Sequence, residues 1–143
     1  MLCNRRKFNL IALIFCFILI FGVVSFAAYE PFKVKLTLFE RIVVISLLPA
    51  EGSYVTLKIV RDLQDELAAN EEEIALSGLK DSPGGGVEAD DWNIVPEKEI
   101  ILGEKAKEII VNVLKKLDEQ EKLGFQHFAV YEKFVIGVKK EGE

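Results

Sequence analysis

His127 is the only histidine in the 143 residues, so neutral-pH acid–base or metal chemistry that needs an imidazole must pass through it. No Gly-x-Ser-x-Gly turn or comparable nucleophile motif accompanies it. Its neighbours are Phe125, Phe128 and Tyr131, a setting that suits a surface or half-buried helix residue. Asp90 and Asp91 are adjacent and could share a cation, yet nothing near them supplies the spaced oxygens of a calcium loop. Gly84, Gly85 and Gly86 follow Ser82 and Pro83 but lack the Gly-Lys-Ser/Thr ending and the immediate helix of a phosphate loop. Glycoside hydrolysis needs two carboxylates facing one bond, and the spacing of the 23 acidic residues singles out no pair. Cys3 and Cys16 both precede residue 30, which leaves no internal disulfide and no thiolate metal site in the rest of the chain. The sequence therefore assigns no catalytic, cofactor-binding or metal-binding residue and no cofactor, and it predicts a protein that is not an enzyme.

The segment that must position everything else is FNLIALIFCFILIFGVVSFAAY, Phe8 to Tyr29, which carries no charge over 22 positions. A bilayer core of about 30 Å takes about 20 apolar residues of helix, so the run predicts a transmembrane helix with the lipid bilayer as its first partner. Leu10, Ile11, Leu13, Ile14, Phe15, Phe17 and Ile18 leave no polar face, which excludes a buried globular helix. A cleaved secretory signal is the rival reading. Residues 1–7 are a basic tail ending in Arg5, Arg6 and Lys7, and Ser25 and Ala27 fit the small positions before a cut between Ala27 and Ala28. The run exceeds the usual signal core of about 7–15 residues, which favours a retained anchor. The basic cluster at its start, against Lys33, Lys35 and Arg41 farther out and mixed with Glu30 and Glu40, predicts a cytoplasmic N-terminus and a domain on the other side. Cys16 reads as packing within the run, and Cys3 as a free thiol with acylation as the alternative.

After residue 29 there remain 15 basic and all 23 acidic residues, in a length that suits one compact domain. A net charge near −8 repels phosphate backbones and anionic headgroups, and so argues against nucleic acid as a partner.

Residues 30–36 read as a linker or short first strand, alternating Phe32, Val34 and Leu36 with Lys33 and Lys35. A soluble helical domain over 37–138 follows. Thr37 and Glu40 form a capping box for a helix to Leu48, stopped by Pro49 and Gly52. Leu57, Val60, Leu63 and Leu67 mark a second helix to about Ala69, and Asn70 with Glu73 caps a short third one to about Leu79. Asp81 to Ala89 is a break. Trp92–Val95 and Lys98–Leu102 predict a short β-hairpin near 91–102, with Trp92 as a core plug. Gly103 to Lys122 carries the stripe Ala106, Ile109, Ile110, Val113, Leu114 and Leu117, and Gly124 is expected in the left-handed conformation behind it. Phe125, Phe128, Tyr131 and Phe134 predict a last helix whose aromatic stripe closes the core, with 139–143 as a solvated tail.

The expected fold class is thus α+β and predominantly helical, with a winged-helix-like order of three helices, hairpin and long helix. Glu71, Glu72 and Glu73 open the third helix and no Lys or Arg occurs before Lys80, so such a fold would bind protein rather than DNA.

The stretches LTLFERIVVISLLPAEGSYVTLKIVRDLQDEL and ILGEKAKEIIVNVLKKLDEQEKL, with YEKFV, carry an ERxxxxxLLPxEG…TLKIxR pattern and a GEKAxEIIVxxLKKLxEQ helix before YEKF. Together they resemble a family of small phage- and prophage-type proteins of unassigned function, over most of Leu36 to Val135. The resemblance implies a bacterial setting and a soluble domain, and this chain departs from the family by its residues 1–29. The matching positions are capping and packing residues, so no functional residue carries over. A domain that belongs in the cytoplasm would also require the opposite orientation of the anchor. The expectation is a single-pass membrane protein whose small domain is a tethered protein-binding or assembly module. The alternatives are a secreted domain starting near Ala28, or a winged-helix-like regulator held at the membrane.

Overall fold

The computed structural model describes residues 31–137. The predicted transmembrane helix at 8–29, with Cys3 and Cys16, and the tail at 139–143 lie outside the described residues. Among the described residues no helix is long and apolar enough to cross a membrane.

Strand β1 (Phe32–Leu36) opens the domain, so the segment read as a linker or strand is part of the fold. Its alternation is expressed directly: Val34 and Leu36 are buried, whereas Lys33 and Lys35 face out. Helix α1 (Leu38–Leu47) starts at the expected capping box. Glu40 N–H donates to Thr37 Oγ1 at 3.2 Å, and Thr37 N–H donates to Glu40 Oε2 at 2.8 Å. The helix stops because Leu48 precedes Pro49 and takes an extended conformation. Helix α2 (Tyr54–Leu67) is capped by Ser53 and buries Val60, Leu63 and Leu67, while Leu57 in its first turn stays exposed. Helix α3 (Glu71–Ser77) has the second expected capping box, Asn70 with Glu73, and ends on Gly78 at φ 65°. A Cβ there would meet only the exposed Asp90 side chain, which can swing away, so it is the left-handed backbone that calls for glycine. Ile74 is exposed, and Ser77 is the buried residue of α3.

The hairpin is not where the sequence predicts it. Lys98–Leu102 is a strand (β4), but Trp92–Val95 is not. The Asp91 side chain accepts the Asn93 N–H at 2.8 Å and turns the chain before Pro96. β4 pairs instead with β1 in antiparallel register, Phe32 opposite Leu102, Val34 opposite Ile100 and Leu36 opposite Lys98. The hairpin that does form lies in the predicted break, from β2 (Lys80–Asp81) to β3 (Val87–Glu88), turned by Gly85 and Gly86 at φ 83° and 94°. The wing expected at 91–102 is therefore absent. Trp92 is half-buried, its ring edge-on to Phe39 at 5.2 Å, rather than a core plug.

The buried face of the β1–β4 pair packs on α1, α2 and helix α4 (Glu104–Glu119). Leu36, Val44, Leu67, Ile100, Ile110 and Leu114 form its centre. The final segment is a 3₁₀ turn at Phe125–His127, one α turn (α5, Phe128–Tyr131) and a π turn at Glu132–Ile136. Lys133 ties it back, its Nζ donating to Lys35 O at 2.8 Å and to Glu40 Oε2 at 2.7 Å.

Helix α4 ends in the left-handed conformation at Glu121 (φ 56°), not at Gly124. The Lys122 N–H donates to Leu117 O and the Glu121 N–H to Asp118 O, the double bond pattern of a Schellman end. A side chain in this conformation costs about 1 kcal/mol. Glu121→Gly is therefore expected to raise stability by about that amount, read as a higher urea midpoint with unchanged slope. An unchanged or lowered midpoint would place the helix end elsewhere.

Candidate functional site

The residues singled out for chemistry are all engaged locally. His127 Nδ1 accepts the Gly124 N–H at 3.0 Å and so caps the 3₁₀ turn that carries it. Asp90 is exposed and paired loosely with Lys80 at 3.3 Å, and Asp91 caps its own turn. Among the described residues no group of three or more His, Cys, Asp or Glu side chains is placed to hold a metal ion. Gly85 and Gly86 serve the β2–β3 turn, where Gly85 N–H donates to Ser82 O and Ser82 N–H to Gly86 O, both at 3.0 Å.

A buried charge that the sequence reading passed over organises one side of the domain. Arg41 of α1 is fully buried. Its Nη2 and Nη1 meet Glu73 Oε1 and Oε2 at 2.6 and 3.1 Å, a forked pairing that fits guanidinium to carboxylate. Nη1 also reaches Leu67 O and Ala68 O at 3.4 and 3.2 Å, at the carbonyl end of α2 where a cation is favoured. Burial alone would push the Glu73 carboxyl up. The hydrogen bonds from Arg41 and Asn70, with the charges of Arg41 and Lys98, outweigh it and hold the pKa below its ordinary 4.5. Each carboxylate oxygen of Glu73 is already taken by Arg41, and Oε2 by the Asn70 N–H as well, so the cluster joins α1 to the α2–α3 junction and leaves neither group for substrate. The signal was present in the sequence: Arg41 falls three residues after Leu38, on the apolar side of its helix.

The last segment supplies the surface feature. Of the aromatic stripe predicted to close the core, Phe134 alone is fully buried, at 5.7 Å from Phe32, together with Val130 four residues earlier. Phe125 is 100% exposed and Phe128 64% exposed, and Ile136 stands out with them. These three, with Leu123 and Tyr131, line an open bowl of about 470 Å³ whose charged members are Asp118 and Glu132. Glu132 and Ile136 reach the bowl from the two ends of the π turn at 132–136. Tyr131 Oη donates to Asp118 Oδ2 at 2.7 Å, which fixes the bowl's floor against α4. That hydrogen bond, with burial and the Asp118 charge behind it, raises the phenol above its ordinary pKa.

No protein-family model, curated protein or solved structure matches this chain.

Proposed function

We propose that this chain is a single-pass membrane protein whose domain, from residue 31 onward, is a non-enzymatic binding module. The observation that carries the reading is the bowl of Phe125, Phe128 and Ile136, an apolar surface the fold leaves open while it buries Phe134 next to it. The uncharged run from Phe8 to Tyr29 supports the tether, because it has the length and the all-round apolar character that lipid requires. Asp118 and Glu132 beside the bowl favour a partner segment with apolar side chains flanked by a basic one.

The test places a photoreactive benzoylphenylalanine at position 125 of the full-length chain in cells. Illumination is expected to give a discrete protein adduct in the membrane fraction. Phe128→Asp should cut its yield about tenfold, in line with the free energy of burying one aromatic ring. Adducts to lipid alone, or an equal yield from the same group placed at exposed Lys58 on α2, would contradict the proposal. A second reading, an exported domain beginning near Ala28, is favoured by Ser25 and Ala27 at the small positions before that bond. It leaves the bowl's role as stated and changes only the tether.

A further inference from the structure

A two-stranded sheet leaves two edges, and the edge of β4 away from β1 has a wall beside it. Alternate residues of an antiparallel strand point their N–H and C=O groups away from the partner strand. Among the described residues the backbone of Lys98–Leu102 hydrogen-bonds only to β1, so those groups are unpaired. At the Leu102 end of this edge lies a groove of about 340 Å³, lined by Ile101 and Leu102 of β4, by α2, and by Gly103 with the first turn of α4, and to which no β1 residue contributes. Its apolar lining includes Ile59, Leu63 and Ile101, the last 56% exposed.

We propose that this groove takes an extended peptide of alternating apolar and basic residues, added to β4 as a third strand. Charge selects the occupant. Asp62 and Glu66 stand on the α2 wall, and Lys105, the cation among the lining residues, is held by Glu108 at 2.8 Å. Lys98 Nζ donates to the Glu66 carbonyl at 2.7 Å and stands 3.8 Å from its carboxylate, whereas Asp62 has no ion-pair partner among the described residues. β4 already accepts such a sequence on its other edge: β1 reads Phe32-Lys-Val-Lys-Leu36 and sets Lys35 opposite Glu99. The inference rests on the reading of the domain as a protein-binding module, but on residues that share nothing with the aromatic bowl.

The experiment titrates fluorescein-labelled TVKVKVT peptide into the full-length chain in nonionic detergent and follows anisotropy. Saturable micromolar binding is expected. N-methylating one alternate set of peptide amides should weaken it about tenfold, while the other set leaves it unchanged, because only one set faces the strand. Asp62→Lys and Ile101→Lys should each weaken binding several-fold, and TVEVEVT should bind less well. No saturable binding, equal binding by both N-methylated sets, or equal binding by the acidic peptide would overturn the proposal. So would a chain that is dimeric until Ile101→Lys makes it monomeric, which would give the groove to a second copy. Phe125→Asp is expected to leave peptide binding intact, so failure at the bowl and failure at the groove are read separately.

Discussion

Replacing Glu73 with alanine is expected to destabilise the domain by about 3–5 kcal/mol, because it leaves the Arg41 guanidinium fully buried without a counter-charge. The carbonyls of Leu67 and Ala68 would remain within reach of Nη1, but neutral acceptors do not replace a carboxylate on both arms of the fork. Arg41→Met combined with Glu73→Leu should recover most of the loss, since a packed apolar pair carries no desolvation cost. Urea unfolding of the full-length chain in nonionic detergent, followed by Trp92 fluorescence, reads both variants. Equal losses in the single and double variants would show that the ion pair is not what joins α1 to α3. The same pair sets an acid limit. The Glu73 carboxyl is held below 4.5 in the folded chain, so its contribution is present above that unfolded value. The contribution is lost as pH falls through the lower folded pKa. Glu73→Gln, already lacking the charge, should show a flatter loss of stability with pH below about 4.5.

The second large effect separates two phenylalanines that the sequence makes equivalent. Phe134→Ala is expected to cost about 3–5 kcal/mol, as deletion of a fully buried ring against Phe32 opens a cavity in the core. Phe125→Ala should change stability by no more than about 0.5 kcal/mol, since a ring that is 100% exposed loses no packing. The same unfolding measurement decides. A large loss at Phe125 would mean that the bowl is closed in the native molecule, and the proposed contact surface would fall with it.

The contrast between these rings shows where local reading stops. Thr37 with Glu40 and Asn70 with Glu73 are capping boxes within four residues of chain, and both stand as the sequence predicts. The buried stripes of α2 and α4 follow from helical period alone, at Val60, Leu63 and Leu67, and at Ala106, Ile110 and Leu114. The partner of β4 does not follow so simply. Its pairing with β1 joins Ile100 to Val34 across a long stretch of sequence, whereas the nearby Trp92–Val95 offered a local hairpin that the Asp91 turn prevents. Phe125, Phe128, Tyr131 and Phe134 share a spacing, but a 3₁₀ turn and a π turn break the helical period on which the stripe depended. Arg41 lay on the apolar side of its helix, and only the distant Glu73 explains how it can. The candidate surface was thus present in the sequence as residues, and hidden as geometry.

The proposed membrane tether of this domain is open to a mass measurement on the intact protein, made separately on membrane and soluble or exported fractions. The full-length mass, with residues 1–29 retained, is expected in the membrane fraction and in no other. A mature species beginning at Ala28 and recovered outside the membrane would contradict it and make the first segment an export signal.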